Sequence, residues 1–189
     1  CFVLEGLRTV EDAYDNDIKL LEFYFTAAAY EKHQSYIEKF AQNSDFSAMI
    51  SESISKNISD TYTPQGIFAV AAIPKKAEEI YEKGKYIALE NIQDPANLGA
   101  VARSAEALGI DGIILSNDSC DPFSPKSLRA SMGTLLRVPL IFTDDMAQFL
   151  KKTTASSYAC VVDNDAEKIG SISFNNFSIG CSFFISALL

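Results

Sequence analysis

The chain has 189 residues, 48% of them hydrophobic and 22% charged, which is too apolar for a disordered segment and long enough for one large or two small domains. No stretch approaches the ~18–20 uninterrupted apolar residues of a membrane-spanning helix. The net charge of −9 argues against the all-over basic surface of a nonspecific nucleic-acid binder, though it leaves room for a local basic site. Four cysteines, at 1, 120, 160 and 181, form no CxxC pair and are too sparse for a disulfide framework. They read as free thiols of a reducing, cytoplasmic compartment, with no zinc set among them. The first residue is Cys1 and no signal-peptide pattern follows it, so the chain reads as a fragment.

Taken in chain order, hydrophobic periodicity predicts a strand at 2–4, a helix at 7–14 and a strand at 20–25. A helix at 27–41, a strand at 46–50, a short helix at 52–58 and a strand at 66–73 complete the first alternation. The last strand is entered through the turn-forming Thr63-Pro64-Gln65-Gly66. Residues 74–84 are dominated by Lys and Glu and read as a charged linker, so the expected division is 1–73, linker 74–84, and 85–189. Downstream, strands at 86–89, 112–115, 138–142 and 158–162 alternate with helices at 97–108, 126–136 and 145–152. That pattern predicts right-handed crossovers and a mostly parallel sheet.

Acidity is concentrated early: residues 1–73 carry 5 Lys/Arg and 11 Asp/Glu. Between Phe123 and Arg137 there is no acidic residue, while Lys126, Arg129 and Arg137 are all cationic, which makes this window the best candidate to meet a polyanion. Lys126, Arg129 and Gly133 fall at helical spacing on one face, with Leu128, Met132 and Leu135 as a separate apolar stripe. His33, the only histidine, sits among polar neighbours on an expected surface helix and is assigned no role. Residues 177–189 are almost wholly apolar, unusual for a chain terminus in water.

The most informative run is Leu89-Glu90-Asn91-Ile92-Gln93-Asp94-Pro95-Ala96-Asn97-Leu98-Gly99-Ala100-Val101-Ala102-Arg103, which joins a strand's C-terminal end to a helix. In open α/β sheets ligands bind at such ends. Leu98, Val101, Ala105 and Leu108 are expected to bury one stripe, with Gly109 stopping the helix. Gly99 and Arg103, four residues apart, would aim a guanidinium over a position without a side chain. Free first-turn N–H groups add positive potential for a phosphate or oxyanion, and Asn97 can cap the helix or hold a ligand hydroxyl. An ordinary helix, with Arg103 paired to Glu106 or another acid, fits the spacing equally well. No GxGxxG or Walker-type glycine loop supports a different nucleotide-binding domain.

Asp94-Pro95-Ala96-Asn97-Leu98-Gly99-Ala100-Val101-Ala102-Arg103-Ser104-Ala105 resembles the first signature of the SpoU (TrmH-like) RNA ribose 2′-O-methyltransferases, members of the SPOUT class. Cys120-Asp121-Pro122-Phe123-Ser124-Pro125-Lys126-Ser127-Leu128-Arg129-Ala130-Ser131-Met132-Gly133 followed by Arg137-Val138-Pro139 resembles that family's next region. Phe2-Val3-Leu4-Glu5-Gly6 and Ser59-Asp60-Thr61-Tyr62-Thr63-Pro64-Gln65-Gly66 resemble the ends of the L30e-like RNA-binding domain that many members carry.

The resemblance implies a small L30e-like α/β domain followed by a mostly parallel-sheet SPOUT (α/β knot) domain that is cut short before the knot is complete. It implies S-adenosylmethionine as methyl donor, RNA as substrate with rRNA favoured over tRNA, and a homodimer. Asn97 and Arg103 would then serve catalysis and Gly99 shape the site. Lys126, Arg129 and Ser131 would meet RNA, and Val162, Asp163, Ile179 and Gly180 the cofactor. Ile179-Gly180 matches only the start of the family's I-G-N-E-G loop, so weak or no activity is expected of this chain. A binding protein of the same fold without catalysis is the competing reading.

Overall fold

The structure, a computed structural model, describes residues 1–74, 84–160, 171 and 178–183. Most of the linker at 74–84 and the cofactor candidates Val162 and Asp163 lie outside these residues. The chain divides into two compact units, Cys1–Lys75 with Phe123–Arg137, and Lys76–Pro122 with Val138–Leu189.

In the first unit, β1 (Phe2–Glu5), α1 (Leu7–Asp15), β2 (Leu20–Thr26), α2 (Ala27–Gln42), β3 (Ser44–Ile50), α3 (Glu52–Ile58) and β4 (Ile67–Ala71) follow the expected alternation to within about two residues at most ends. The sheet order is β1-β4-β2-β3, antiparallel except for the parallel pair β2/β3. β4 is central and buried at four of its five positions, which is why Ile67-Phe68-Ala69 reads as an unbroken apolar run. Phe23 of β2 meets Phe40 of α2 edge-on at 5.7 Å, and both are fully buried. Burying side chains of this size contributes about 1.5–3 kcal/mol each. Thr26 and Ser51 cap α2 and α3 by accepting the N–H groups of Ala29 and Ile54.

The segment Phe123–Arg137 belongs to this first unit rather than to the unit whose sequence surrounds it, a departure from the expected division. It holds α5 (Pro125–Ser131) and a 3₁₀ turn, Thr134–Leu136, instead of one helix over 126–136. Met132 (φ 53°) and Gly133 (φ 79°) both adopt the left-handed conformation and break the helix between them. Met132 is consequently 62% exposed rather than part of an apolar stripe. Two ion pairs and a ring contact fix the segment: Arg129 to Asp60 at 2.6 Å, Arg137 to Asp12 at 3.4 Å, and Phe123 to Phe2 with centroids 5.1 Å apart.

The second unit contains β5 (Lys85–Glu90), α4 (Pro95–Ala107), β6 (Gly112–Ser116), β7 (Leu140–Thr143), α6 (Met146–Lys152), β8 (Ser156–Cys160) and β9 (Ser178–Phe183). All its strand pairs are parallel, in the order β7-β6-β5-β9-β8. β7 begins after Pro139, which has no N–H to give the ladder. β6 is buried along its whole length, and Tyr86, Ala88, Ile114, Ile141, Met146 and Ile179 form one buried cluster. β9 was not among the expected strands, yet it lies between β5 and β8, so part of the apolar run at 177–189 is interior strand. No helix among the described residues is long and apolar enough to cross a membrane.

Candidate active site

Five strands enter the second sheet from the same end, and the order reverses between β5 and its neighbours: the chain moves outward through β6 and β7, then returns through β8 to place β9 beside β5. Ligands of open α/β sheets sit beyond the strand C-termini where the order reverses. The residues at that edge are Glu90, paired in register with Phe183, and the loop that follows Glu90.

That loop is held by its neighbour after β6. The Ser116 hydroxyl accepts the Asn91 N–H at 2.7 Å, and the Cys120 N–H donates to the Ile92 carbonyl at 2.7 Å. The Gln93 amide donates to the Asp118 carbonyl at 2.7 Å. Asn91 itself takes φ 52°, a left-handed conformation that Asn tolerates better than most residues. α4 therefore starts from a fixed point.

Its N-cap is Asp94, whose carboxylate accepts the Ala96 N–H at 2.9 Å, and Pro95 occupies the first turn. Two of the first-turn donors are thereby removed, one by the missing proline N–H and one by the cap. The positive potential expected of a bare helix start is reduced, and Asn97 is not the cap. Leu98, Gly99, Ala102 and Ala105 are buried, so Gly99 is a packing residue, not a gap beneath the guanidinium. Leu108 is 75% exposed because the helix has ended at Ala107, and Gly109 (φ 65°) closes it as expected.

Asn97, Ala100 and Arg103 are all exposed and form an i, i+3, i+6 row that spans about 9 Å of axis. The small position between amide and guanidinium is thus Ala100, a signal that sequence spacing pointed to only indirectly through Gly99. Among the described residues no carboxylate pairs with Arg103, and the alternative pairing with Glu106 is not formed. An uncommitted guanidinium can hold a phosphate.

The other candidates fare differently. Lys126 is exposed, whereas Arg129 is committed to Asp60 and lies 4.0 Å from Glu5. Ser131 is fully buried and its hydroxyl donates to the Leu128 carbonyl at 3.1 Å, which removes it from any RNA-facing surface. Ile179 is also fully buried; it and Gly180 lie opposite Tyr86 and Ile87, low in β9, while the strand runs on to Phe183. They therefore stand within the strand, three or more positions before its last described residue. In topology the edge fits a nucleoside-bearing cofactor, since β5, β9 and β8 end side by side.

The second unit is thus a parallel α/β sheet with β9 returned beside β5 and exposed polar positions on the helix leaving β5. The fold is shared with the S-adenosylmethionine-bound rRNA methyltransferase of Sinorhizobium meliloti, with TM-score 0.82, 23% identity, and coverage of 100% of this chain and 72% of that one. It is shared also with the SpoU methyltransferase AviRb of Streptomyces viridochromogenes, with TM-score 0.79, 16% identity, and coverage of 98% and 74%.

Residues 84–180 match the SpoU rRNA Methylase family and residues 1–69 the MRM3-like substrate binding domain; the chain belongs to the SpoU rRNA methylase family. It is 29% identical over 140 residues to the 23S rRNA (guanosine(2553)-2′-O)-methyltransferase RlmP of Bacillus subtilis, covering 74% of this chain and 53% of that protein. It is 32% identical over 146 residues to human mitochondrial rRNA methyltransferase 3, covering 74% and 34%. The chain thus spans about half the length of the bacterial relative.

Proposed function

We propose that the chain is the substrate-binding and first catalytic portion of an S-adenosylmethionine-dependent rRNA 2′-O-ribose methyltransferase, working as a homodimer in the cytoplasm. The observation that carries this reading is the exposed Asn97–Ala100–Arg103 row, with no carboxylate on Arg103 among the described residues, on the helix that leaves the reversal strand. S-adenosylmethionine, when bound, supplies an electrophilic methyl group. Arg103 binds the phosphate next to the reacting ribose and stabilises the charge that grows on the 2′-oxygen as it loses its proton. It is not the base, because a guanidinium stays protonated. Asn97 orients the ribose through its amide, and Lys126 contacts RNA phosphate. Arg129, engaged by Asp60, pins α5 in place.

Calorimetry with S-adenosylmethionine distinguishes this reading from an RNA-binding protein without catalysis. Saturable binding supports the enzyme, and its absence supports the binding protein.

A further inference from the structure

In the first unit a cleft of about 570 Å³ opens between α1, the start of α2, α3 and the turn before β4. This volume falls in the ~300–1,000 Å³ range of small-ligand pockets. Its titratable lining is Arg8, Glu11, Lys32, His33 and Glu52, with Leu7 among the apolar residues. The cations gathered here are selected from few: residues 1–73 hold 5 Lys/Arg, and Lys19 and Lys39 are spent on Asp45 and Asp15 at 2.7 and 3.3 Å. Arg8 and Lys32 have no ion-pair partner among the described residues.

Inside α2, His33 takes φ −132° and ψ 34°, a break in the helix with no Pro or Gly nearby to cause it. Irregular backbone of this kind persists where the surroundings demand it and clusters at ligand sites. The cleft wall opposite is fixed, because the Gln65 side-chain oxygen accepts the Leu7 N–H at 2.9 Å.

We infer that this cleft binds one unstacked nucleotide of the RNA, an assignment that rests on the RNA-methyltransferase reading above. Two cations with two carboxylates would hold a bare phosphate poorly, since attraction and repulsion nearly cancel. They suit a ligand that is anionic at one end and rich in hydrogen-bond donors at the other. Arg8 and Lys32 take the phosphate; Glu11 and Glu52 accept from the ribose 2′-hydroxyl and base amino groups; the His33 ring stacks on the base. Unpaired RNA is recognised by this combination of stacking and edge contacts, and the 2′-hydroxyl separates RNA from DNA.

The test titrates the full chain and its variants with a fluorescent single-stranded RNA, the same sequence as duplex, and its DNA counterpart. Arg8→Ala with Lys32→Ala should weaken single-strand binding about tenfold and lower the slope of log K against log salt by about 0.7, the value for one phosphate. His33→Ala should cost about fivefold in affinity, and Glu52→Gln should narrow the preference for RNA over DNA. A nucleoside monophosphate should compete where inorganic phosphate at equal ionic strength does not.

Should the double variant fail to fold, exposed Lys32→Ala alone must still weaken single-strand binding and lower the slope. Unchanged affinity in the cleft variants, or competition by phosphate as strong as by nucleotide, overturns the cleft assignment while RNA binding by the unaltered chain keeps the enzyme reading. Failure of the unaltered chain to bind any RNA overturns both.

Discussion

Arg103 is the residue on which the proposed chemistry turns, and its value comes from what surrounds it. It is exposed on a helix whose start is tied down by Asp94, so the guanidinium is positioned without being neutralised by a described carboxylate. Gly133 shows the opposite case, a residue whose importance is conformational. At φ 79° it sits where an L side chain is strained, and a Cβ there would run into the Asp12 carboxylate that also pairs with Arg137. Gly133→Ala should destabilise the first unit by about 1–3 kcal/mol, readable by denaturant unfolding, with no change in unfolding slope. A variant as stable as the parent would show that the segment relaxes freely.

Helices and strands were legible wherever a local rule sufficed. Ser51, Ser124 and Asp145 announce three helix starts, and each accepts the N–H of the residue three positions on. Gly112-Ile113-Ile114-Leu115 reads as a buried strand because a parallel sheet covered on both faces has no polar side. Legibility failed where partners are remote. β9 pairs Ser178 with Lys85, and nothing in an unpatterned apolar run discloses a neighbour so far along the chain. Arg129 looked free for RNA because its partner Asp60 is sixty-nine positions away. The break at Met132 was hidden for a related reason, since a methionine in the left-handed region carries no turn signal.

At the same scale, α2 carries a local acid-sensitive network. The Tyr30 hydroxyl and the Gln34 amide both donate to Glu38 Oε1 at 2.8 Å, and these bonds hold the Glu38 carboxyl below its ordinary value of 4.5. A lowered folded-state pKa means the stabilisation is complete above the unfolded value and is lost as pH falls through the folded one. The melting temperature should therefore drop on acidification below 4.5 less steeply in Glu38→Gln than in the parent. Identical pH profiles for the two would contradict the network.

For the whole molecule, the decisive feature is that the last described strand completes the middle of the second sheet. Ile179 is fully buried in the cluster with Tyr86, Ala88, Ile114, Ile141 and Met146, and β9 alone joins β8 to β5. Ile179→Ala should cost about 2–5 kcal/mol, measured by unfolding of the full chain. A loss below about 1 kcal/mol would mean that β9 contributes little to the sheet. The net charge of −9 also means that RNA affinity must come from a few placed cations, so it should fall steeply with salt.

The most direct test of the account is transfer of labelled methyl from S-adenosylmethionine to rRNA, followed by alkaline digestion to locate the label, in the full-length enzyme proposed above and in its Arg103→Ala variant. The label should survive as an alkali-resistant dinucleotide, the mark of a methylated ribose. Arg103→Ala should lower turnover by about 100- to 1,000-fold at unchanged thermal stability. Label found on a base, or full turnover without the guanidinium, would contradict it.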